Sequence, residues 1–157
     1  MIDIAAYEPA FAPACAAVLA SVPEWFGRQA ANAQYLADLA VLPSWVARSD
    51  GVAVGAITLT EPQPQSFEVH FLVVARAWHR RGIGGALLRV VEDAACARGG
   101  RWLHVKTLGP SHPDPFYART RAFYARNGFA PLFESTALWD VRTPALIIVK
   151  ALASATT

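Results

Sequence analysis

The sequence predicts a mixed α/β (α+β) domain, with a sheet of about six to seven strands and one parallel β-α-β unit at its centre. Three observations predict it. Residues 67–75 (FEVHFLVVA) alternate, with Phe67, Val69, Phe71, Val73 and Ala75 on one face and Glu68, His70, Leu72 and Val74 on the other. That period of two is the signature of a strand. A basic turn with Gly82, Gly84 and Gly85 follows, and then Ile83, Ala86, Leu87, Val90, Val91 and Ala94 mark the buried stripe of an amphipathic helix. Beyond Gly99-Gly100, which end the helix, residues 102–108 read as a further strand. Strand, helix, strand on this scale makes the two strands parallel.

The remaining elements flank this unit. Residues 2–7 read as a short edge strand and residues 9–22 as a first helix with Phe11, Val18 and Leu19 toward the core. A loop with adjacent aromatics, Ser21 to Gly27, leads into a helix over 28–39. Residues 42–48 and 52–60 form a hairpin closed by Ser49-Asp50-Gly51, and the proline-rich stretch 61–65 connects it to the central strand. After a rigid loop over 109–115 comes a helix over 116–127, stopped by Gly128. Strands over 129–139 and 144–152 close the sheet, and residues 153–157 are expected to fray.

At 157 residues the chain is expected to be one domain with a sizeable core. A hydrophobic content of 54% excludes a disordered chain, and a formal charge of +2 argues against nucleic acid as a partner. No apolar run approaches a membrane span. The start, MIDIAAYEPAFAPACAAVLA, lacks a basic region, carries Asp3 and Glu8, and is broken by two prolines, so it does not read as a signal peptide. Cys15 and Cys96 lack metal or redox spacing and fit a reduced, cytoplasmic setting. No metal site is expected.

The basic turn has a direct chemical consequence. A helix start leaves backbone N–H groups without intrahelical partners and carries partial positive charge. Glycines let an anion approach that backbone, and Arg76, Arg80 and Arg81 add full charges, so the turn reads as a phosphate site. Gly84-Gly85-Ala86 lacks the Gly-Lys-Ser/Thr of a P-loop, and Leu87 stands where a dinucleotide fingerprint has its third glycine.

His79-Arg80-Arg81-Gly82-Ile83-Gly84 resembles the Gln/Arg-x-x-Gly-x-Gly/Ala motif of the GNAT N-acetyltransferase superfamily, with His79 departing from the usual Gln or Arg. Ala122-Phe123-Tyr124-Ala125-Arg126-Asn127-Gly128-Phe129 resembles the family's A-x-x-F-Y-x-x-x-G-F signature. The two span about residues 68–129, and VKTLGPSHPDP and 139–152 resemble a bacterial subgroup. The resemblance implies a largely antiparallel twisted sheet with helices on both faces, and acetyl-CoA as cosubstrate. It places the pyrophosphate on the backbone of His79, Arg80, Arg81, Gly82, Ile83, Gly84, Gly85 and Ala86, and the pantetheine arm against Leu72, Val73 and Val74. It makes Tyr124 the acid that protonates the coenzyme thiolate. Tyr117 replaces an asparagine that usually contacts the coenzyme.

Acetyl transfer from a thioester to an amine needs a carbonyl held in place, a neutral amine and a proton for the departing sulfur. A lysine-type amine is neutral in only about one molecule in 10³ at pH 7, so a general base helps. Glu68 and His70 share one face of the strand, about 7 Å apart, and His104 and Lys106 repeat the pattern on the parallel strand. Four ionisable residues on a sheet expected to be covered by helices make Glu68 and His70 the candidate bases. The resemblance puts Glu68 at the place of the glutamate base of some GNAT enzymes, so Glu68 is the first candidate and His70 the second. The alternative is that this face is solvated. Of the two adjacent aromatics in the helix signature, Phe123 is expected in the core.

The resemblance implies that the first helices and late strands wall the acceptor, which here would include Glu24, Trp25, Phe26, Tyr35 and Trp139. Aromatics with one acid suit an amine on a flat or apolar body, in a small molecule, a peptide N-terminus or a lysine. A non-catalytic acyl-CoA sensor and an enzyme acting on aminoacyl-tRNA are the competing readings. Monomer and homodimer both remain open.

Overall fold

The computed structural model describes residues 1–153. Its seven strands are β1 (Ile2–Ala6), β2 (Ser44–Ser49), β3 (Val52–Gln63), β4 (Ser66–Val74), β5 (Trp102–Leu108), β6 (Ala130–Asp140) and β7 (Thr143–Ala151). The helices are α1 (Ala12–Ala20), α2 (Gln29–Val41), α3 (Ile83–Ala97) and α4 (Pro115–Arg126). The sheet order is β1-β2-β3-β4-β5-β7-β6, largely antiparallel, with β4 and β5 as the parallel pair. The chain divides into two compact units, Met1–Thr60 with Val69–Ala94 and Glu61–Glu68 with Ala95–Thr157, so β4 contributes to both.

In the first unit, β4 keeps the alternation read from its sequence. Val69, Phe71 and Val73 are buried, while His70, Leu72 and Val74 keep partial exposure. Phe71 and Val73 join Val46, Ala53 and Ala56 of β2 and β3 in a core closed by Cys15, Val18 and Leu19 of α1 and Leu39 of α2. Each large side chain so buried contributes roughly 1.5–3 kcal/mol of hydrophobic stabilisation. Val46 pairs with Ala56, so their neighbours Ala47 and Gly55 face the other side of the sheet. There α3 lies close. A Cβ on Gly55 would come within 3.1 Å of the Val73 carbonyl oxygen and 3.3 Å of Leu87. Helices therefore cover both faces of this unit.

In the second unit, β5 pairs with β4 in parallel, through Ser66–Trp102, Phe67–Leu103 and Glu68–His104. It pairs antiparallel with β7 over its whole length. Phe67, Leu103, Leu146, Ile148, Tyr124 and Phe129 are buried. Asp114 caps α4, its carboxylate accepting from the Phe116 and Tyr117 amides at 2.8 and 3.2 Å. Trp139 and its neighbour Leu138 on β6 are about half exposed, at 48% and 50%.

Several boundaries differ from the sequence reading, each for a local reason. The proline-rich stretch 61–65 is not a free connection, because β3 continues to Gln63 and turns at Pro64-Gln65, where Gln65 has φ +67°. The second helix runs to Val41, and Pro43 delays the following strand to Ser44. The first helix begins as a 3-10 turn over Pro9–Phe11. A second 3-10 turn, Arg76–Trp78, lies within the basic loop. On α3 the buried stripe is Ile83, Leu87, Leu88, Val91 and Ala95, so Ala86, Val90 and Ala94 lie at its margin. On α4 it is Tyr124 that is buried and Phe123 that is part-exposed, the reverse of the expectation for Phe123. Of the tail expected to fray, Ala153 is described and lies outside any strand; residues 154–157 fall outside the described residues.

Candidate functional site

The basic turn folds as its glycines require. Arg80 and Gly82 both take left-handed backbone, at φ +62° and +78°, which reverses the chain between the 3-10 turn and α3. The Ala86 N–H donates to the Gly82 carbonyl at 3.1 Å, the first bond of the helix. Amides ahead of Ala86, at Ile83, Gly84 and Gly85, are those a helix start leaves without an intrahelical acceptor. A Cβ on Gly82 would meet nothing within 4 Å, so no protein atom crowds that side of the residue. The turn thus fits a phosphate-bearing ligand.

The neighbouring side chains have defined partners. His79 donates from Nε2 to the Val74 carbonyl at 2.8 Å and meets the edge of Trp25 with ring centroids 5.8 Å apart. Arg81 lies over the Trp78 ring, 4.7 Å from its centroid. Arg76, expected to add charge to the turn, instead pairs with Glu24 and donates to the Ser21 carbonyl at 3.0 Å. Its guanidinium fixes the Ser21–Gly27 loop. Of the residues expected to meet an acceptor, Glu24 is engaged by this ion pair, and Phe26 and Tyr35 pack edge-on at 5.6 Å. Phe26 and Tyr35 also contact Phe71, so they extend the core of the first unit. Trp139 belongs to the second unit, on β6.

The ionisable face resolves into two clusters. In the second unit the Glu68 carboxylate is 3.2 Å from the Lys106 ammonium and 3.5 Å from His104 Nε2. Only 12% of the Glu68 side chain is exposed. Burial alone would raise the Glu68 pKa, but the hydrogen bond from His104 and the charge of Lys106 outweigh it and hold the carboxyl below its ordinary range. Glu68 is therefore ionised at neutral pH.

In the first unit His70 Nε2 lies 2.7 Å from Asp38 Oδ2 on α2, and Gln34 donates to Asp38 Oδ1 at 2.8 Å. Burial of Asp38 works to raise its pKa, and those two hydrogen bonds more than offset it. Asp38 is a partner of the candidate base His70 that the sequence reading missed. An acid on a helix face reads as solvated, and only the meeting of α2 with β4 reveals its partner. The i, i+4 spacing of Gln34 and Asp38 was the available local signal.

Tyr124 sits in the second unit, 5% exposed, with Phe123 and Phe129 edge-on at 5.1 and 5.2 Å. Burial pushes its hydroxyl pKa well above the usual tyrosine range, so it is a phenol, able to donate. Tyr117, part-buried at the start of α4, gives its amide to the Asp114 cap. Among the described residues no cluster of His, Cys, Asp and Glu is arranged to hold a metal, and no helix is long and apolar enough to cross a membrane.

Comparison with known proteins places this arrangement. The family model for the acetyltransferase (GNAT) domain matches residues 42–131, more than half the chain. The chain belongs to the GNAT acetyltransferase family. Among solved structures, a GNAT-family protein from Desulfovibrio desulfuricans superposes with TM-score 0.84 at 21% identity, covering 98% of this chain and all of that one. The ribosomal-protein-S18-alanine N-acetyltransferase of Escherichia coli gives 0.79 at 16% identity, over 99% and 97% of the two chains. An aminoglycoside 6'-N-acetyltransferase solved with coenzyme A gives 0.78 at 17%, over 99% of each. These likenesses establish the fold. No curated protein sequence matches the chain significantly.

Proposed function

We propose that the protein is a cytoplasmic, acetyl-CoA-dependent N-acetyltransferase that moves the acetyl group directly to a primary amine. The observation that carries this reading is the β4–turn–α3 unit. β4 ends at Val74, the 3-10 turn leads to left-handed Arg80 and Gly82, and these open a helix whose first amides have no intrahelical acceptor. In the proposal Arg80, Arg81 and the backbone of 79–86 hold the coenzyme pyrophosphate. The donors there are the amides of Ile83, Gly84 and Gly85, since that of Ala86 is bonded to Gly82. The backbone of Leu72, Val73 and Val74 pairs with the pantetheine arm, and Tyr117 gives a further contact.

Acetyl-CoA supplies the activated thioester. The chain's own residues manage the protons. The acceptor nitrogen bonds to the carbonyl carbon as the carbon–sulfur bond breaks, which leaves one proton to remove and one to supply. The proton to remove passes to the ionisable face of β4, where Glu68 and His70 are the candidate bases. Tyr124, held as a phenol by burial, gives its proton to the sulfur and recovers one from solvent. The acceptor is an amine on a small molecule or peptide; of the first unit's aromatics, Trp25, against His79 beside the turn, is the one proposed to meet it. Solved neighbours are named for a ribosomal-protein alanine and for an aminoglycoside, and both names are consistent with an amine as acceptor.

Calorimetric titration with acetyl-CoA, with ATP and NAD as controls, tests the reading. Several charge-assisted hydrogen bonds to phosphate predict roughly micromolar affinity, selective for the coenzyme. No binding overturns the proposal. Binding without transfer to any amine would make the protein an acyl-CoA sensor instead.

A further inference from the structure

From the first unit we infer that Asp38, steadied by Gln34, is a positioning residue that orients His70 so that its Nδ1 takes the proton from the acceptor amine. The inference rests on the transferase reading and goes beyond it, by assigning the base and adding two residues behind it.

The geometry fixes the direction of the hydrogen bond. An ionised carboxylate only accepts, so the 2.7 Å contact between His70 Nε2 and Asp38 Oδ2 requires the proton on Nε2. A neutral imidazole then carries its lone pair on Nδ1. Asp38 is itself held, since Gln34 Nε2 donates to its second oxygen at 2.8 Å. The ring stands edge-on to Tyr35 and Phe71, with centroids 6.0 and 6.2 Å away. Carboxylate and two aromatic rings thus define the imidazole plane, yet 32% of the His70 side chain stays exposed and reachable by an acceptor or a water. The Asp38 side chain behind it is only 14% exposed.

Glu68 has the opposite surroundings. Its carboxylate sits between Lys106 and His104, two groups that favour its anion and make it a poor proton acceptor. His70 instead has a single carboxylate behind it, on Nε2, which leaves Nδ1 as the ring's acceptor nitrogen. When the amine nitrogen bonds to the acetyl carbon, its proton passes to Nδ1, while the Nε2 proton stays on Nε2, hydrogen-bonded to Asp38. The titratable groups set against the ring are Asp38 and Tyr35, both on α2; Arg28, next to the α2 start, acts on Tyr35.

The test combines a tautomer measurement with kinetics. Long-range proton–nitrogen NMR of the free protein should show neutral His70 as the Nε2–H form. Asp38→Asn replaces an acceptor by an amide that can donate, and the Nδ1–H form should then gain population. With an acceptor amine in hand, Asp38→Asn and His70→Gln should each lower kcat about 10²-fold while the KM for acetyl-CoA holds. Joined, the two substitutions should lose no more than either alone, because they remove one function. The Asp38→Asn loss should narrow as pH approaches the acceptor's own pKa, where the amine no longer needs a base. Gln34→Ala, at an exposed position, should give a smaller loss in kcat and keeps the question decidable if Asp38→Asn does not fold. A wild-type His70 in the Nδ1–H form, full kcat in Asp38→Asn, or additive losses in the double variant overturns the inference alone. Failure of the wild type to acetylate any amine overturns the transferase reading, and this inference with it.

Discussion

Glu68 and Lys106 form an ion pair across the parallel β4–β5 junction at 3.2 Å, with the carboxylate nearly buried and the ammonium 42% exposed. This partly wet geometry sets the size of the effect. Lys106→Met should cost about 1 kcal/mol at pH 7, nearer to a surface pair than to a buried one, and lower Tm by about 2–4 °C. The pH dependence follows from the depressed pKa of Glu68. Its contribution is complete above the unfolded value, about 4.3, and disappears as pH falls through the lower folded value. Urea midpoints for wild type and Lys106→Met should therefore converge once pH has fallen through the folded value. A gap that stays constant from pH 7 to pH 3 would refute the pairing.

Tyr124→Phe separates binding from chemistry. The phenyl ring keeps the edge-on contacts with Phe123 and Phe129, so the fold should survive. Loss of the proton donor should lower kcat about 10²-fold. Acetyl-CoA affinity measured by calorimetry should stay within a few-fold of wild type. Unchanged turnover would remove Tyr124 from the acid role.

These residues also show what the sequence made legible. Alternation in β4 and the glycines before α3 located the strand, the turn and the parallel pair, because local periodicity and special backbone angles are written residue by residue. Glu68, His104 and Lys106 could be grouped from strand parity alone. Asp38 could not, since its meeting with His70 spans 32 positions and depends on where α2 docks. Nor could the capture of Arg76 by Glu24, which turned an expected anion-binding charge toward a loop. The burial of Tyr124 in place of Phe123 depends on the rotation of α4, which its weak amphipathicity leaves undetermined.

Asp114 offers a test of local folding. Its carboxylate receives two amides that the start of α4 would otherwise leave unpaired, and Pro115 follows at the first helical position. Asp114→Ala should destabilise the protein by about 1 kcal/mol, whereas Asp114→Asn should retain most of the cap. Denaturant midpoints compare the two directly. Equal losses would mean that the side-chain cap contributes nothing.

The two thiols should react at very different rates. Cys15 is 1% exposed in the core of the first unit, and burial pushes its pKa up to about 11. The thiolate is the reactive form, so Cys15 should be silent to a disulfide reagent at pH 8 until the protein unfolds. Cys96 is part-exposed and should label first. Two equally fast thiols in the folded protein would contradict the packing around α1.

Gly82→Ala isolates the backbone geometry of the turn. At φ +78° an L-residue is strained by left-handed backbone, and because an added Cβ meets nothing within 4 Å, that strain is the whole cost. It should amount to roughly 1–2 kcal/mol. Relief of the strain would rotate the Gly82 peptide and the amides that follow it, so acetyl-CoA affinity should fall along with stability. The same substitution at Gly51, φ +81° and also open, lies in the β2–β3 hairpin and supplies the control. Both variants should lose comparable stability in urea, but only Gly82→Ala should weaken coenzyme binding by calorimetry. Equal binding by the two would detach the turn from the coenzyme and leave Gly82 a purely structural residue.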